Sequence, residues 1–319
     1  MNPQAIAGFA AAGARWSALL SDPVTVNIHI GYTSLGAGIL GQASSSEGTV
    51  PYSAYKTALA ADANSANDAT AVAHLPSGSA FGMYLNYTSN NPNGAGSATP
   101  YLDANGNANN TTINMTYANA KALGLLPANN AAQDATITFS SNFTWDFNPN
   151  DGITAGAFDF VGVATHEIGH SLGFISGVDI LDINSPSGTT YYPDNAFTYV
   201  APMDLYRFSS ASFAQGVIDW TAGTATKYFS IDGGSTSLGT FSTGQVHGDG
   251  RQASHWKDSL GLGIMDPTAA PGELLAITPL DVKMFDVIGW NLNSVVPEPS
   301  VVLLLGAGGL TLYLKRRRA

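Results

Sequence analysis

Apolar residues recur at helical spacing from the first turn of the chain. Ile6, Phe9, Trp16 and Leu20 share one face, and Asp22-Pro23 ends the element. Gly13 falls midway on that face and weakens it. Next, "VTVNIHIGY" alternates Val24, Val26, Ile28, Ile30 and Tyr32 with polar residues, the period of a half-buried strand. Residues 51–75 are Ala-rich and predict one or two helices. "DATITFSS" (134–141) predicts a second strand, with Ile137 and Phe139 on one side and Thr136 and Thr138 on the other. A helix follows, and Phe160, Val161, Val163 and Ala164 fill its first turns. From 175 to 250, "SPSG", "DGGS" and "HGDG" punctuate a stretch that reads as loop-rich. "ITPLDVKMFDVIGW" predicts the last helix: Thr278 can cap it, Pro279 suits its first position, and Asp281 sits third. Leu280, Met284, Val287 and Ile288 give that helix an apolar face.

With 319 residues the chain can bury a core as one large domain or two lobes. Only 11% of residues are charged, so Asn, Ser, Thr and Gly must supply the polar surface, as in many exported β-rich proteins. The absence of cysteine excludes a disulfide framework. It also restricts any metal ligands to His, Asp, Glu and backbone oxygen. The net charge is −11, and residues 1–294 hold 8 Lys+Arg against 22 Asp+Glu, which argues against nucleic acid as a partner.

The cations missing from that count lie at the C-terminus. Residues 296–319 read "VPEPSVVLLLGAGGLTLYLKRRRA": Pro-Glu-Pro, an apolar run from Val301 to Leu314, then four cations. That run is short of the about 20 residues a stable span needs. Its order of parts resembles the PEP-CTERM sorting signal of exported bacterial proteins. The resemblance implies a tail that contacts the membrane before an exosortase-type enzyme cuts near Pro297–Pro299. It also implies export to the surface or exterior of a Gram-negative-type bacterium. Because residues 2–23 lack a charged segment followed by an apolar one, an export signal is expected upstream of Met1.

Two histidines attract no role: His29 lies on the polar face of its strand, and His74 has no acidic or histidine neighbour. "DANGNANN" begins like a calcium loop at Asp103, Asn105 and Asn107. It departs at position six (Ala108) and position twelve (Asn114), so an Asn-rich turn is the better reading and Ca2+ the weaker alternative.

The remaining chemistry concentrates in "GVATHEIGHSLGFISGVD" (162–179). Residues four apart on a helix share a face, so His166 and His170 can turn their rings toward one ion. Glu167 lies about 100° round from His166, within reach of a water on that ion without being a ligand itself. With only four Glu and six His in the chain, chance would rarely produce His-Glu-x-x-His. The third ligand is open on the residues alone. No Glu intervenes between His170 and Glu273, and Ser176 occupies the position where a compact motif places its third His. Asp179, Asp182, His247 and His255 remain.

"ASHWKDSLGLGIMDP" sets Ser254-His255-Trp256 ten residues before Met265. Together with His-Glu-x-x-His-x-x-Gly-Phe at 166–174, this resembles the leishmanolysin-like metzincins, in which the third His follows a long insertion and precedes a Met-turn. Residues 175–253 match no part of that pattern, and the chain is closer to bacterial exported relatives than to the cysteine-rich parasite enzymes. The resemblance implies one zinc ion held by His166, His170 and His255, with Glu167 as general base and Met265 beneath the metal. Asp179 or His247 would be the substitutes for His255. Gly173 would turn the chain sharply out of the helix. The implied fold is α+β: an N-terminal catalytic lobe (1–173) with a twisted, mostly parallel mixed sheet, and a loop-rich C-terminal lobe (174–293), followed by the tail (294–319). The implied activity is a zinc endopeptidase acting on protein or peptide, with substrate lying along Ala135–Ser141 as edge strand. The alternatives are an exported matrix or adhesion protein whose zinc is structural, and a hydrolase of non-peptide amides.

Overall fold

A computed structural model describes residues 2–185, 188 and 190–293; the predicted sorting tail lies outside them. The first helix, Pro3–Ser17, is capped by Asn2, whose Oδ1 accepts the Gln4 N–H, and it runs unbroken through Gly13. Of the predicted face, Trp16 is buried and Phe9 and Leu20 pack against the core, but Ile6 does not join them. Ala5, Gly8, Ala12 and Trp16 point inward, whereas Ile6 is 50% exposed. The reason is close approach: a Cβ on Gly8 would stand 2.6 Å from Phe160 on the helix that carries His166. Small residues make the contact and Trp16 anchors its end.

The predicted strands form over Ile28–Thr33 and Ala135–Ser140, and they pair in parallel. A third strand, Gly41–Ser45, joins antiparallel on the far side of Ala135–Ser140. This corrects the expected edge: Ala135–Ser140 is the central strand, and Gly41–Ser45 forms the edge. "GQASS" carries no hydrophobic alternation, so its pairing is dictated by its neighbours and not by its own side chains.

The expected mostly parallel sheet is also corrected. Sheet structure is divided among small units, and among the described residues three of the eight strand pairings are parallel. Met83–Leu85 pairs antiparallel with Tyr101–Asp103 and parallel with Ile218–Asp219, so one sheet joins residues on both sides of position 173. Glu47–Pro51 and Thr112–Thr116 make an antiparallel ribbon. The loop-rich stretch 175–250 also carries short elements. It contains a helix at Val178–Asn184 and an antiparallel sheet of Arg207–Phe208, Lys227–Phe229 and Gly239–Phe241. These strands have two or three residues each, too short for periodicity to announce them.

Helices Tyr52–Asp62 and Ala66–His74 occupy the Ala-rich segment. The last helix, Pro279–Val287, has the predicted capping box of Thr278 and Asp281. One hydrophobic core extends from Ala5 to Trp290, and the ends of the folded chain meet, with Ser21 N–H donating to the Asn291 carbonyl at 2.8 Å. The whole is a mixed α and β fold with small mixed sheets, compatible with α+β. Among the described residues no helix is long and apolar enough to cross a membrane.

Candidate metal centre

Asp159 starts the histidine helix, Phe160–Ser171. One carboxylate oxygen accepts the Gly162 N–H at 2.8 Å, and the other accepts the Leu275 N–H at 3.2 Å. Trp16 Nε1–H donates to the Thr165 carbonyl at 2.9 Å, fixing the helix against its neighbour. At the far end Gly173 adopts φ +120°, a value L side chains rarely take, and the chain turns back. The turn places the Phe174 carbonyl 2.7 Å from His170 Nδ1. The Gly-Phe pair after the helix thus orients one of its imidazoles.

His255 arrives from a segment with almost no regular structure, and buried polar groups hold it. Asp179 accepts the Ala253 N–H at 2.5 Å and the Ser254 N–H at 3.1 Å. Fully buried Arg207 donates to the carbonyls of Ser242 (2.8 Å) and Ala253 (3.3 Å). Trp256 N–H donates to the Met265 carbonyl at 3.0 Å, tying the histidine to the methionine turn. Asp281 then collects the Ile264 N–H (2.9 Å), the Trp256 Nε1–H (2.8 Å) and the Thr278 N–H (2.7 Å).

From these separate supports the three imidazoles converge. The Nε2 atoms lie 3.0 Å (His166–His170), 3.2 Å (His170–His255) and 3.3 Å (His166–His255) apart. Each Nδ1 faces a backbone carbonyl: Ile264 at 2.7 Å, Phe174 at 2.7 Å and Gln252 at 3.3 Å. A carbonyl only accepts, so each Nδ1 carries the proton and each Nε2 presents a lone pair. Burial lowers the pKa of His166 to about 4 and of His170 to about 3, and drives His255 well below its usual value; neighbouring imidazoles add to the fall at His170 and His255. All three rings are therefore neutral at pH 7. Three neutral lone pairs facing one another repel unless a cation is shared among them. At Zn–N of 2.0–2.1 Å, a tetrahedral ion separates its nitrogen ligands by about 3.3 Å, so the donor set fits. This triad is the one group of three or more His, Cys, Asp or Glu side chains close enough to share an ion among the described residues.

The other third-ligand candidates are engaged elsewhere. Asp179 is spent on the backbone of 253–254. Asp182 accepts the N–H groups of Val246 (2.7 Å) and His247 (2.9 Å), while His247 Nε2 faces the Ser185 carbonyl at 2.6 Å and its ring stacks on Tyr87.

Glu167 stands beside the triad with 6% of its surface exposed. Burial pushes its carboxyl up to about 8, and the Ala43 backbone N–H on the edge strand acts against the rise. A Cβ on Gly41 would come within 2.8 Å of Glu167 Oε1, so a side chain there would push the carboxylate aside. Below the helix Met265 is fully buried, and its Sδ would lie 2.5 Å from a Cβ on Gly169, between the two helix histidines. The triad and Glu167 line a cleft of about 890 Å3, together with Gly38–Ser45, Gln252, Ser254 and Ile264.

Sequence reasoning brought out all four central residues but missed Gly41, Arg207 and the anchoring roles of Asp179, Asp182 and Asp281. Asp281 had a visible signal as a helix cap; the others are defined only by distant partners. No known protein family, curated protein or solved structure matches the chain.

Proposed function

We propose that the chain is a zinc-dependent endopeptidase of metzincin type. The observation that carries this reading is the meeting of three neutral imidazole Nε2 atoms beside a buried carboxylate at the wall of an open cleft. Catalytic zinc centres use three protein ligands and leave a position for water or substrate, whereas structural ones are closed by four. His166, His170 and His255 would hold the ion, each through Nε2. When bound there, zinc polarises a carbonyl and acidifies water.

The rest falls to the chain itself. An extended peptide adds to the free edge of Gly41–Ser45 by backbone hydrogen bonds, which brings its carbonyl carbon past Glu167. The carboxylate takes the proton of the attacking water on one oxygen and passes it to the departing amide nitrogen. Met265 packs closely against Gly169 and forms the floor beneath the histidines. Export, and processing of the tail by an exosortase-type enzyme, rest on the sequence of 296–319 alone.

Glu167→Gln tests the proposal. The variant should retain one zinc per chain and lose casein cleavage by about 10²–10⁴-fold. A variant that cuts casein as fast as wild type contradicts the reading and favours a matrix or adhesion protein with a structural ion. Cleavage of small amides but not casein would instead favour the non-peptide hydrolase.

A further inference from the structure

A second oxygen-rich cluster lies in the segment that only began like a calcium loop. Asp103 ends the strand Tyr101–Asp103, and Asn105, Asn107 and Asn109 follow at every second position. The structure adds what no local motif contains: Asp194, from a short 3-10 turn at Asp194–Ala196, meets the same segment. Its Oδ2 accepts the Asn105 Nδ2–H at 3.3 Å. Both carboxylates are buried, at 2% and 5% exposure, and among the described residues neither has a cationic partner within 4 Å.

The amides supply the independent pointer. Asn109 is completely buried, and its Nδ2–H donates to Asp103 Oδ2 at 2.7 Å, so its head group is aimed into the cluster. Its Oδ1 has no partner, and neither does the buried Oδ1 of Asn107. Buried acceptors of this kind are normally satisfied. A half-turn of the Asn109 amide exchanges its nitrogen and oxygen without changing its shape, and directs a second oxygen at Asp103.

We propose that Asp103, Asp194, Asn107 and Asn109 form a calcium site, with Asn105 as a further oxygen donor. Hard cations with flexible coordination take six to eight oxygens at about 2.3–2.6 Å, and amide oxygens mixed with two carboxylates suit Ca2+ better than the strictly octahedral Mg2+. Two carboxylates, not three or four, place it toward the weak range typical of extracellular modules, about 10⁻⁴–10⁻³ M. The ion would tie residues 194–196 to 103–109 across more than 80 intervening positions. It would thereby secure the segment leading to Tyr199, which lines the cleft.

The test uses the full chain with its imidazole site first saturated with zinc. Calorimetric titration with CaCl2 should show one calcium per chain, and the melting temperature should rise with CaCl2. Asp194→Asn should weaken that binding by about tenfold or more and abolish the thermal shift. Asp103→Asn provides an independent second variant, and circular dichroism without calcium shows that each is folded. A wild-type protein that takes up no calcium at about 1 mM overturns the proposal. So do folded Asp103→Asn and Asp194→Asn variants that bind calcium as wild type does. Neither readout depends on peptidase activity, so the outcome is separate from that of the proposed function.

Discussion

The helix bearing His166 and His170 and the segment bearing His255 bring imidazoles to one point by different physical means. On the helix, spacing does the work: a four-residue interval stacks two rings, and the turn at Gly173 delivers the Phe174 carbonyl to the second. The other segment has no such geometry of its own. Its position is set by carboxylates from elsewhere, Asp179 on one side and Asp281 on the other, which accept backbone N–H groups in the interior. A local motif is tolerant of its surroundings, whereas a segment suspended on distant side chains is only as exact as each support. The difference predicts where the molecule is fragile.

Replacing His255 with Ala should have the largest effect. Two helix imidazoles alone do not retain an ion through dialysis, so metal content by atomic emission should fall to near zero and casein cleavage with it. A His255→Ala protein that keeps stoichiometric zinc would show the suspended segment to be dispensable. Asp281→Ala should come next, because it leaves the buried N–H groups of Ile264 and the Trp256 indole, and the half-buried N–H of Thr278, without their acceptor. At about 1–3 kcal/mol for each orphaned group, not fully additive, chemical denaturation should show a loss of about 3–5 kcal/mol. Thr165→Ala on the helix side should cost less, since its hydroxyl donates only to the Val161 carbonyl of its own helix.

Gly41→Ala attacks the contact between the edge strand and Glu167 without touching a histidine. The added methyl group displaces the carboxylate, and misplacement by about 1 Å costs about 10²-fold in turnover. Zinc content should stay at one per chain, and equal activity would mean that Glu167 is not held by this strand. The smallest effect concerns pH and calcium. Burial, and then neighbouring Asp194, raise the pKa of Asp103; Tyr101 and the Asn109 amide also face it. Its folded pKa exceeds its unfolded one, so its contribution to stability is fully present below the ordinary carboxylate range and is lost as pH rises through the raised value. Calcium binding offsets that loss. The calcium-dependent rise in melting temperature should therefore be largest near pH 7 and fade on acidification, and a rise that grows toward acid would contradict this sign.

How much was legible in the sequence follows the same division. His166, Glu167, His170, Gly173 and the Thr278–Asp281 cap were readable because each depends on neighbours within four residues. His255 was reachable only through resemblance; on the residues alone Asp179, Asp182 and His247 stood beside it. Asp179 looked like a ligand because a carboxylate near two histidines resembles one, yet its oxygens are taken by amide protons. The edge strand was assigned to 135–141 by resemblance, as the visible strand before the metal helix, while "GQASS" at 41–45 is small and polar and shows no alternation. It has to be small: Gly41 packs against Glu167, and a side chain there would fill the space the carboxylate needs. In the first helix Phe9, Trp16 and Leu20 pack as read, but Gly8 and two alanines fill the rest of the buried face and Ile6 faces solvent. Hydrophobic periodicity finds large residues in a core and overlooks close contacts made by small ones.

The central claim is that imidazoles from 166, 170 and 255 share one ion. Zinc K-edge X-ray absorption on the purified full chain measures it directly. The account predicts three histidine nitrogens at about 2.0–2.1 Å plus one oxygen ligand. A zinc-free protein, or a spectrum unchanged in histidine count when His255 is replaced with Ala, would contradict it.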